Sequence, residues 1–174
     1  MSGTIVPTDR VIDLTQVLYH EAHLLDIGDY EGWLALLDPE VVYTAPIPSD
    51  ELRHGDSTAV PGSELRLRYF NDNLGLLQVR VAKIRTGLPQ TEQPASRCVR
   101  LISNVAVLAE TAPGEHPVRS AFVLYRHRRQ RQVEILAGHR DDLWRRTEDG
   151  WRLAHREIRF AANVLPTKSL SLIY

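Results

Sequence analysis

The spacing of apolar residues changes once along this chain, from about 3.6 residues to two, and this change constrains the fold more than any other feature. In the first half, apolar positions recur at helical spacing, as in Val11, Leu14, Leu18, Ala22 and Leu25. From residue 97 onward they alternate with polar residues, as strands do. Helices followed by hairpin-connected strands predict an α+β fold, with helices covering one face of a strongly curved, mainly antiparallel sheet.

Two helices are predicted before residue 40. Thr8 and Asp9 are suited to cap a long first helix that ends before Gly28. Asp29 is suited to cap a short second helix, which Asp38-Pro39 would stop because the residue before a proline disfavours helical backbone.

A short strand is predicted over 40–45, followed by a long irregular loop over 46–62 that contains three prolines and two glycines. Ser63 is suited to cap a third helix that ends at Gly87. This helix would complete a set of three that packs on the sheet.

Four strands are predicted in the second half, over 97–110, 118–128, from 132 onward, and over 151–162. Asp149-Gly150 is typical of a tight hairpin turn in which glycine takes a positive φ. Successive hairpins of this kind give an antiparallel meander.

The length and charge of the chain limit its organisation and its partners. A chain of 174 residues is expected to form a single domain over 1–174, with residues 1–8 flexible. No apolar run approaches the roughly 18 residues of a membrane helix, and no signal peptide is recognisable, so we expect a cytoplasmic protein without a membrane partner. The formal net charge is −1 and bases alternate with acids, which argues against a nucleic-acid partner.

The cysteine and histidine content predicts neither a metal site nor a cofactor site in this chain. Cys98 is the only cysteine, so an internal disulfide and a multi-thiolate metal site are excluded. His20 and His23 are three residues apart, whereas zinc helices of the H-E-x-x-H type separate their ligands by four and need a third ligand. No nucleophile, phosphate or dinucleotide motif is present. We therefore predict no catalytic, cofactor-binding or metal-binding residues.

An enzyme on the same fold remains an alternative at this point. An isomerase or dehydratase could use Asp26 or His23 for proton transfer, with Tyr19 as a hydrogen-bond donor. A small-ligand binding module is a third interpretation, and it would require an open apolar pocket.

Several short motifs, each weak alone, occur in an order that resembles a known family. They are Tyr19-His20-Glu21-Ala22-His23-Leu24-Leu25-Asp26, Tyr69-Phe70-Asn71-Asp72-Asn73, Gly138-His139-Arg140-Asp141-Asp142, Asp149-Gly150-Trp151-Arg152-Leu153-Ala154 and Leu170-Ser171-Leu172-Ile173-Tyr174. Over roughly residues 10–174 the chain resembles the small (beta) subunit of aromatic-ring-hydroxylating, Rieske-type non-haem iron dioxygenases. His20 and His23 depart from this pattern, since the family usually has arginines there.

The resemblance implies an NTF2-like or cystatin-like cone and a non-catalytic, structural subunit. Small subunits of this family trimerise within an α3β3 hexamer, where they hold iron-bearing large (alpha) subunits that act in aromatic compound catabolism. The Rieske [2Fe–2S] cluster and the mononuclear Fe(II) are expected in the partner large subunit. The single cysteine agrees with this expectation, because a Rieske centre needs two cysteines and two histidines.

Six side chains are candidates for the subunit interface, chosen because arginine pairs bidentately with carboxylates and apolar groups exclude water around such pairs. They are Arg97, Arg100, Arg140, Trp144, Ile173 and Tyr174. We expect the last two to be exposed in a lone subunit and buried against a neighbour in the assembly.

Overall fold

The structure is a computed structural model that describes residues 6–47, 67–86, 96–128, 132–162 and 172–174. Three helices and six strands occur in these ranges: α1 (Thr8–Ile27), α2 (Tyr30–Leu34), β1 (Leu37–Pro46), β2 (Arg68–Asp72), α3 (Leu74–Arg85), β3 (Arg97–Val107), β4 (Glu115–Arg128), β5 (Gln132–Thr147) and β6 (Gly150–Phe160). Among the helices of the described ranges, none is both long and apolar enough to span a membrane.

The six strands form one mixed sheet in the order β2-β1-β6-β5-β4-β3. Strands β3 to β6 are an antiparallel meander, β2 pairs antiparallel with β1, and β1 pairs parallel with β6. The predicted α+β class with a mainly antiparallel sheet is confirmed.

Helix α1 buries the apolar stripe that its periodicity predicts, including Leu14, Leu18 and Leu25. It ends at Gly28, whose φ of 77° lies in the left-handed region that glycine tolerates. The predicted cap by Thr8 and Asp9 is wrong, because the helix begins at Thr8, directly after Pro7, and has no side-chain cap. Asp9 lies instead in the first turn, where a carboxylate interacts favourably with the helix dipole.

The side chain of Asp29 caps α2 as predicted, accepting a hydrogen bond from the Gly32 N–H at 2.9 Å. The helix is shorter than expected, and Leu37–Pro46 form β1. Pro39 is tolerated inside this strand because the pairing of β1 with β6 is irregular between Leu37 and Val42.

The third predicted helix begins too early in the sequence, because its first part is the strand β2. Asn73, whose side chain accepts from the Leu76 N–H at 3.0 Å, caps α3 in place of Ser63. Pairing with β1 draws Phe70 into the core and overrides the local helical spacing. Ser63, Gly87 and most of the predicted 46–62 loop lie outside the described residues, as do the first five residues.

The sheet curves strongly around its inner face. The ring of Phe70 on β2 stacks on Tyr174, which also contacts Phe160 on β6, and Phe160 contacts Phe122 on β4. Rings on β2, β4 and β6 therefore join one aromatic cluster on this face. Helix α1 lies across the same face, since Glu21 pairs with Arg156 on β6 and Asp26 pairs with Arg100 on β3.

Gly150 starts β6 with a φ of 129°, as its predicted place in the hairpin turn requires. We expect Gly150→Val to lower the free energy of unfolding by roughly 1–3 kcal/mol, because a β-branched residue resists this backbone conformation. A Cβ at this position meets no other atom within 4 Å, so the loss would come from the backbone and not from a clash. Thermal or denaturant unfolding measures it, with exposed His20→Ala as the control. Equal losses of stability in the two variants would contradict the assignment of the Gly150→Val loss to backbone strain.

Candidate functional site

Four charged side chains form a cluster inside the cone: Glu21, Arg140, Asp142 and Arg156, none more than 4% exposed. Arg140 and Asp142 are two residues apart on β5, so the alternation of a strand places both on the inner face. Arg156 lies directly opposite Asp142 on β6. Glu21 extends from α1 on the same helical face as its buried leucines. Two carboxylates and two guanidinium groups make the cluster formally neutral.

Arg156 connects the cluster by bidentate hydrogen bonds. Its Nε and Nη2 donate to the two Asp142 oxygens at 2.8 and 2.7 Å, and its Nη1 and Nη2 donate to the two Glu21 oxygens at 2.6 and 2.8 Å. Glu21 also accepts from the Trp33 indole N–H at 3.1 Å and from Arg140 at 3.4 Å. Helix α1 is thereby joined to two strands at the centre of the sheet.

These pairs determine how the buried groups ionise. Burial acts to raise the pKa of Glu21, but the charges of Arg156 and Arg140 outweigh it and hold this pKa below its ordinary value of 4.5. Burial acts to lower the pKa of Arg156, and Asp142 with Glu21 reverse this effect and raise it. Glu21 is therefore an ionised, fully engaged carboxylate, which disfavours it as a proton carrier in catalysis.

The lowered pKa of Glu21 predicts an acid-dependent stability. A carboxyl group with a depressed folded-state pKa contributes stability above its unfolded pKa and loses it as the pH falls through the folded value. We expect the free energy of unfolding to decrease below about pH 4.5. Glu21→Gln should be less stable at neutral pH and show a smaller further decrease in acid. Denaturant unfolding across the acid range tests this, and identical acid dependence in both proteins would contradict it.

Residues 172–174 close the cone beside this cluster. Tyr174 is 1% exposed, and its ring lies between Phe70 and Phe160 at centroid distances of 6.4 and 5.3 Å. Its main-chain N–H donates to the Tyr43 hydroxyl oxygen at 3.2 Å, and that hydroxyl donates to the Tyr174 main-chain oxygen. These contacts bury the side chains of residues 172–174 inside their own cone.

A second ion pair holds this segment against the edge of the sheet. Arg100 on β3 donates from Nη1 to Asp26 at 2.6 Å and from Nη2 to the Ile173 carbonyl at 2.7 Å. The Arg100 main-chain N–H donates to the other Asp26 oxygen at 2.9 Å. Arg100 therefore joins strand β3 both to the end of α1, through Asp26, and to Ile173.

The six candidate interface residues divide into one exposed and five buried side chains. Arg97 is exposed at the start of β3, whereas Arg100, Arg140, Trp144, Ile173 and Tyr174 are at most 7% exposed. The expectation that Ile173 and Tyr174 are exposed in a lone subunit is wrong, because both pack inside their own cone. Their contact with a neighbouring subunit, and that of the other four, stays a prediction.

The residues of the isomerase or dehydratase alternative do not meet inside the cone. Tyr19 is 46% exposed and His23 is exposed, so both face away from the core on α1. Asp26 is engaged by Arg100. Within the described ranges, no three His, Cys, Asp or Glu side chains are grouped as a metal site would require.

The buried cluster was not predicted from the sequence, although the position of Glu21 in α1 indicates it. Glu21 is seven residues after Leu14 and four before Leu25, on the apolar face of α1. A carboxylate in that position requires a buried cationic partner. The partner could not be identified, because it lies 135 residues further along the chain.

Comparisons with known proteins agree with this architecture. The family model described as ring hydroxylating beta subunit matches residues 20–167. The beta subunit of biphenyl 2,3-dioxygenase from Rhodococcus jostii (strain RHA1) is 34% identical over 164 residues, covering 93% of this chain and 87% of that relative. The beta subunit of benzene 1,2-dioxygenase from Pseudomonas putida is 33% identical with the same coverage.

A solved structure of naphthalene 1,2-dioxygenase with indole bound in the active site contains a similar chain. It superposes with a TM-score of 0.85 and 26% identity, covering 98% of this chain and 89% of that one. The NTF2-like cone predicted from the sequence is confirmed. The match over residues 20–167, together with these relatives, shows that the chain belongs to the ring-hydroxylating dioxygenase beta subunit family.

Proposed function

We propose that this chain is the non-catalytic, structural subunit of a multicomponent aromatic-ring-hydroxylating dioxygenase. The observation that carries this proposal is the match of residues 20–167 to the ring hydroxylating beta subunit family. The buried cluster supports a structural role, because Arg156 holds both Glu21 and Asp142 and also donates to the Tyr174 main-chain oxygen at 3.4 Å.

The partner in this proposal is a large (alpha) subunit that carries the Rieske [2Fe–2S] cluster and the mononuclear Fe(II). This chain's own residues do not fit a Rieske centre, because the sequence has a single cysteine and such a centre takes two. We further propose that the chain trimerises within an α3β3 hexamer and that the whole chain is one domain in the cytoplasm. The aromatic ring that is attacked would then be selected by the large subunit.

Co-expression with an affinity-tagged large subunit tests this function. We expect the chain to co-purify in equal stoichiometry with the large subunit, and the iron and the visible iron–sulfur spectrum to be absent when the chain is purified alone. Multi-angle light scattering of the complex measures its mass against that of a hexamer. A chain that never binds the large subunit would refute the proposal.

The alternative of a stand-alone isomerase or dehydratase is not favoured, since Asp26 is paired with Arg100 at 2.6 Å and Tyr19 and His23 lie outside the cone. Isomerase or dehydratase activity of the isolated chain would support this alternative if Asp26→Asn abolished the activity and Glu31→Gln retained it. Glu31 is the control because its carboxylate is 68% exposed at the surface.

A further inference from the structure

The imidazole ring of His116 is buried between two hydrogen-bond acceptors. His116 lies near the start of β4 and is 3% exposed. Its Nδ1 is 3.1 Å from the Leu108 carbonyl oxygen, and its Nε2 is 3.2 Å from a carboxylate oxygen of Glu110, which is an ion-pair distance. Both acceptors belong to the segment that joins β3 to β4, residues 108–114, which we name the β3–β4 connection. One side chain of the sheet therefore contacts this connection at two points.

The protonation state of the ring determines whether both contacts are favourable. A neutral imidazole has one N–H donor and one nitrogen with a free lone pair, whereas an imidazolium has two donors. In either neutral tautomer of His116, a lone pair would face an oxygen that is itself an acceptor. Nε2 is also shielded from solvent, and no donor among the described residues bonds to it. The imidazolium form is the one that matches both neighbours.

The charges nearest to His116 act in opposite directions. Glu110 is in direct contact with the ring, and its negative charge favours the imidazolium. Arg10 on α1 and Arg146 on β5 disfavour it, but both contact the neighbouring ring of Trp151, at 6.0 and 5.3 Å from its centre. Trp151 on β6 packs edge-on against His116, with 5.7 Å between the ring centres. The charge in direct contact therefore has the sign that retains the proton.

Two further neighbours of His116 are neutral or already paired. Trp144 lies directly opposite it on β5. Glu115 precedes it on β4, and strand alternation directs the Glu115 side chain to the other face, where it pairs with Arg145 at 2.9 Å. These residues leave Glu110 as the group whose contact with the ring changes sign when the proton is lost.

Main-chain hydrogen bonds hold both ends of the β3–β4 connection. The Leu108 N–H donates to the Pro117 carbonyl at 2.8 Å, and the Arg146 N–H donates to the Gly114 carbonyl at 2.8 Å. Glu110 lies between these ends, and its side chain is 51% exposed. A carboxylate in this position can turn into solvent when the ring no longer attracts it, and water can then reach the ring.

We propose that protonation of His116 fastens the β3–β4 connection to the sheet and that loss of this proton releases it. Histidine ordinarily changes its charge between about pH 5 and 8. The contact is therefore complete at the acid end of this range and is lost as the pH rises. This inference goes beyond the proposed function and is independent of it, because it needs contacts within this chain alone.

Hydrogen exchange of the Thr111 main-chain amide tests the proposal, since this N–H donates to the Glu115 carbonyl inside the connection at 3.1 Å. Exchange is compared as protection factors on either side of the His116 titration, which the ¹⁵N chemical shifts of the ring nitrogens follow. We expect the protection of Thr111 to fall by about tenfold or more when the ring loses its proton, the usual effect of losing a hydrogen bond to a charged group.

Glu110→Gln distinguishes a proton-dependent contact from a merely structural one. Its side-chain amide can donate to Nε2 of a neutral ring whose Nδ1–H still donates to Leu108. We expect this variant to keep Thr111 protected on both sides of the titration. The matched control is Glu148→Gln, which removes an exposed carboxylate and should respond to pH as the wild-type chain does.

Circular dichroism establishes that both variants are folded. Unchanged protection of Thr111 in the wild-type chain would overturn the proposal, as would a ring that keeps both protons until the chain unfolds. A wild-type response that persists in Glu110→Gln, or one that disappears equally in Glu148→Gln, would overturn it too, because the response would then not depend on the contact between His116 and Glu110.

Discussion

Replacing Arg156 with methionine is expected to lower the free energy of unfolding by about 3–5 kcal/mol, because it removes one partner of a buried ion pair while keeping most of the side-chain volume. Asp142 would lose its bidentate partner, and Glu21 would retain only the longer contact to Arg140 at 3.4 Å together with Trp33. Two carboxylates would then be buried without adequate compensation. Denaturant unfolding at neutral pH measures the loss.

Arg85→Met is the matched control, since it removes the same group from an ion pair with Glu31 whose side chains are 61% and 68% exposed. Exposed pairs of this kind contribute less than about 1 kcal/mol. Adding Asp142→Leu to Arg156→Met should recover part of the stability, because an apolar side chain replaces an unpaired buried charge. Similar losses for the two arginine variants, or a further loss in the double variant, would contradict a role in compensating buried charge.

Local signals predicted those parts of the fold that depend on a residue's own backbone or on its immediate neighbours. Gly28 and Gly150 adopt positive φ angles, and the Asp29 side chain caps the helix that follows it. Each of these outcomes is determined within about four residues, so a sequence without any structure contains the information.

Contacts between distant segments determine those parts of the fold that local signals did not predict. Residues 68–72 have helical spacing but form β2, because β1 pairs with them and Phe70 enters the core. Arg140 carries the arginine chemistry expected of an interface, yet its carboxylate partner is Glu21, 119 residues earlier in the same chain. An arginine gives no local indication of whether its partner lies in its own fold or in a neighbour.

The interior of the cone was the least predictable part of the site. Ile173 and Tyr174 follow a proline-containing segment and are large and apolar, which is compatible with an intermolecular contact or with an intramolecular one. The choice between these two contacts depends on where Arg100 and the ring of Phe160 lie, because they bind Ile173 and Tyr174. Their positions are known only once the sheet has formed.

Tyr174→Ala is expected to lower the free energy of unfolding by about 3–5 kcal/mol, the usual cost of removing a large buried aromatic ring from a packed core. The ring is 1% exposed and contacts Phe70 and Phe160. Tyr174→Phe should cost nothing or stabilise the chain slightly, because the Tyr174 hydroxyl is buried and has no hydrogen-bond partner among the described residues. Chemical denaturation of the isolated chain distinguishes the two substitutions.

Tyr19→Ala provides the control for losing a tyrosine as such, since Tyr19 is 46% exposed on α1 and its removal should cost less than about 1 kcal/mol. The self-association of Tyr174→Ala, measured where the variant is still folded, separates the two possible roles of the ring. If stability falls while association of the folded fraction is unchanged, Tyr174 belongs to the core of its own subunit. If stability is unchanged and association weakens, the ring instead contacts a neighbouring subunit, and the packing of Tyr174 between Phe70 and Phe160 would be contradicted.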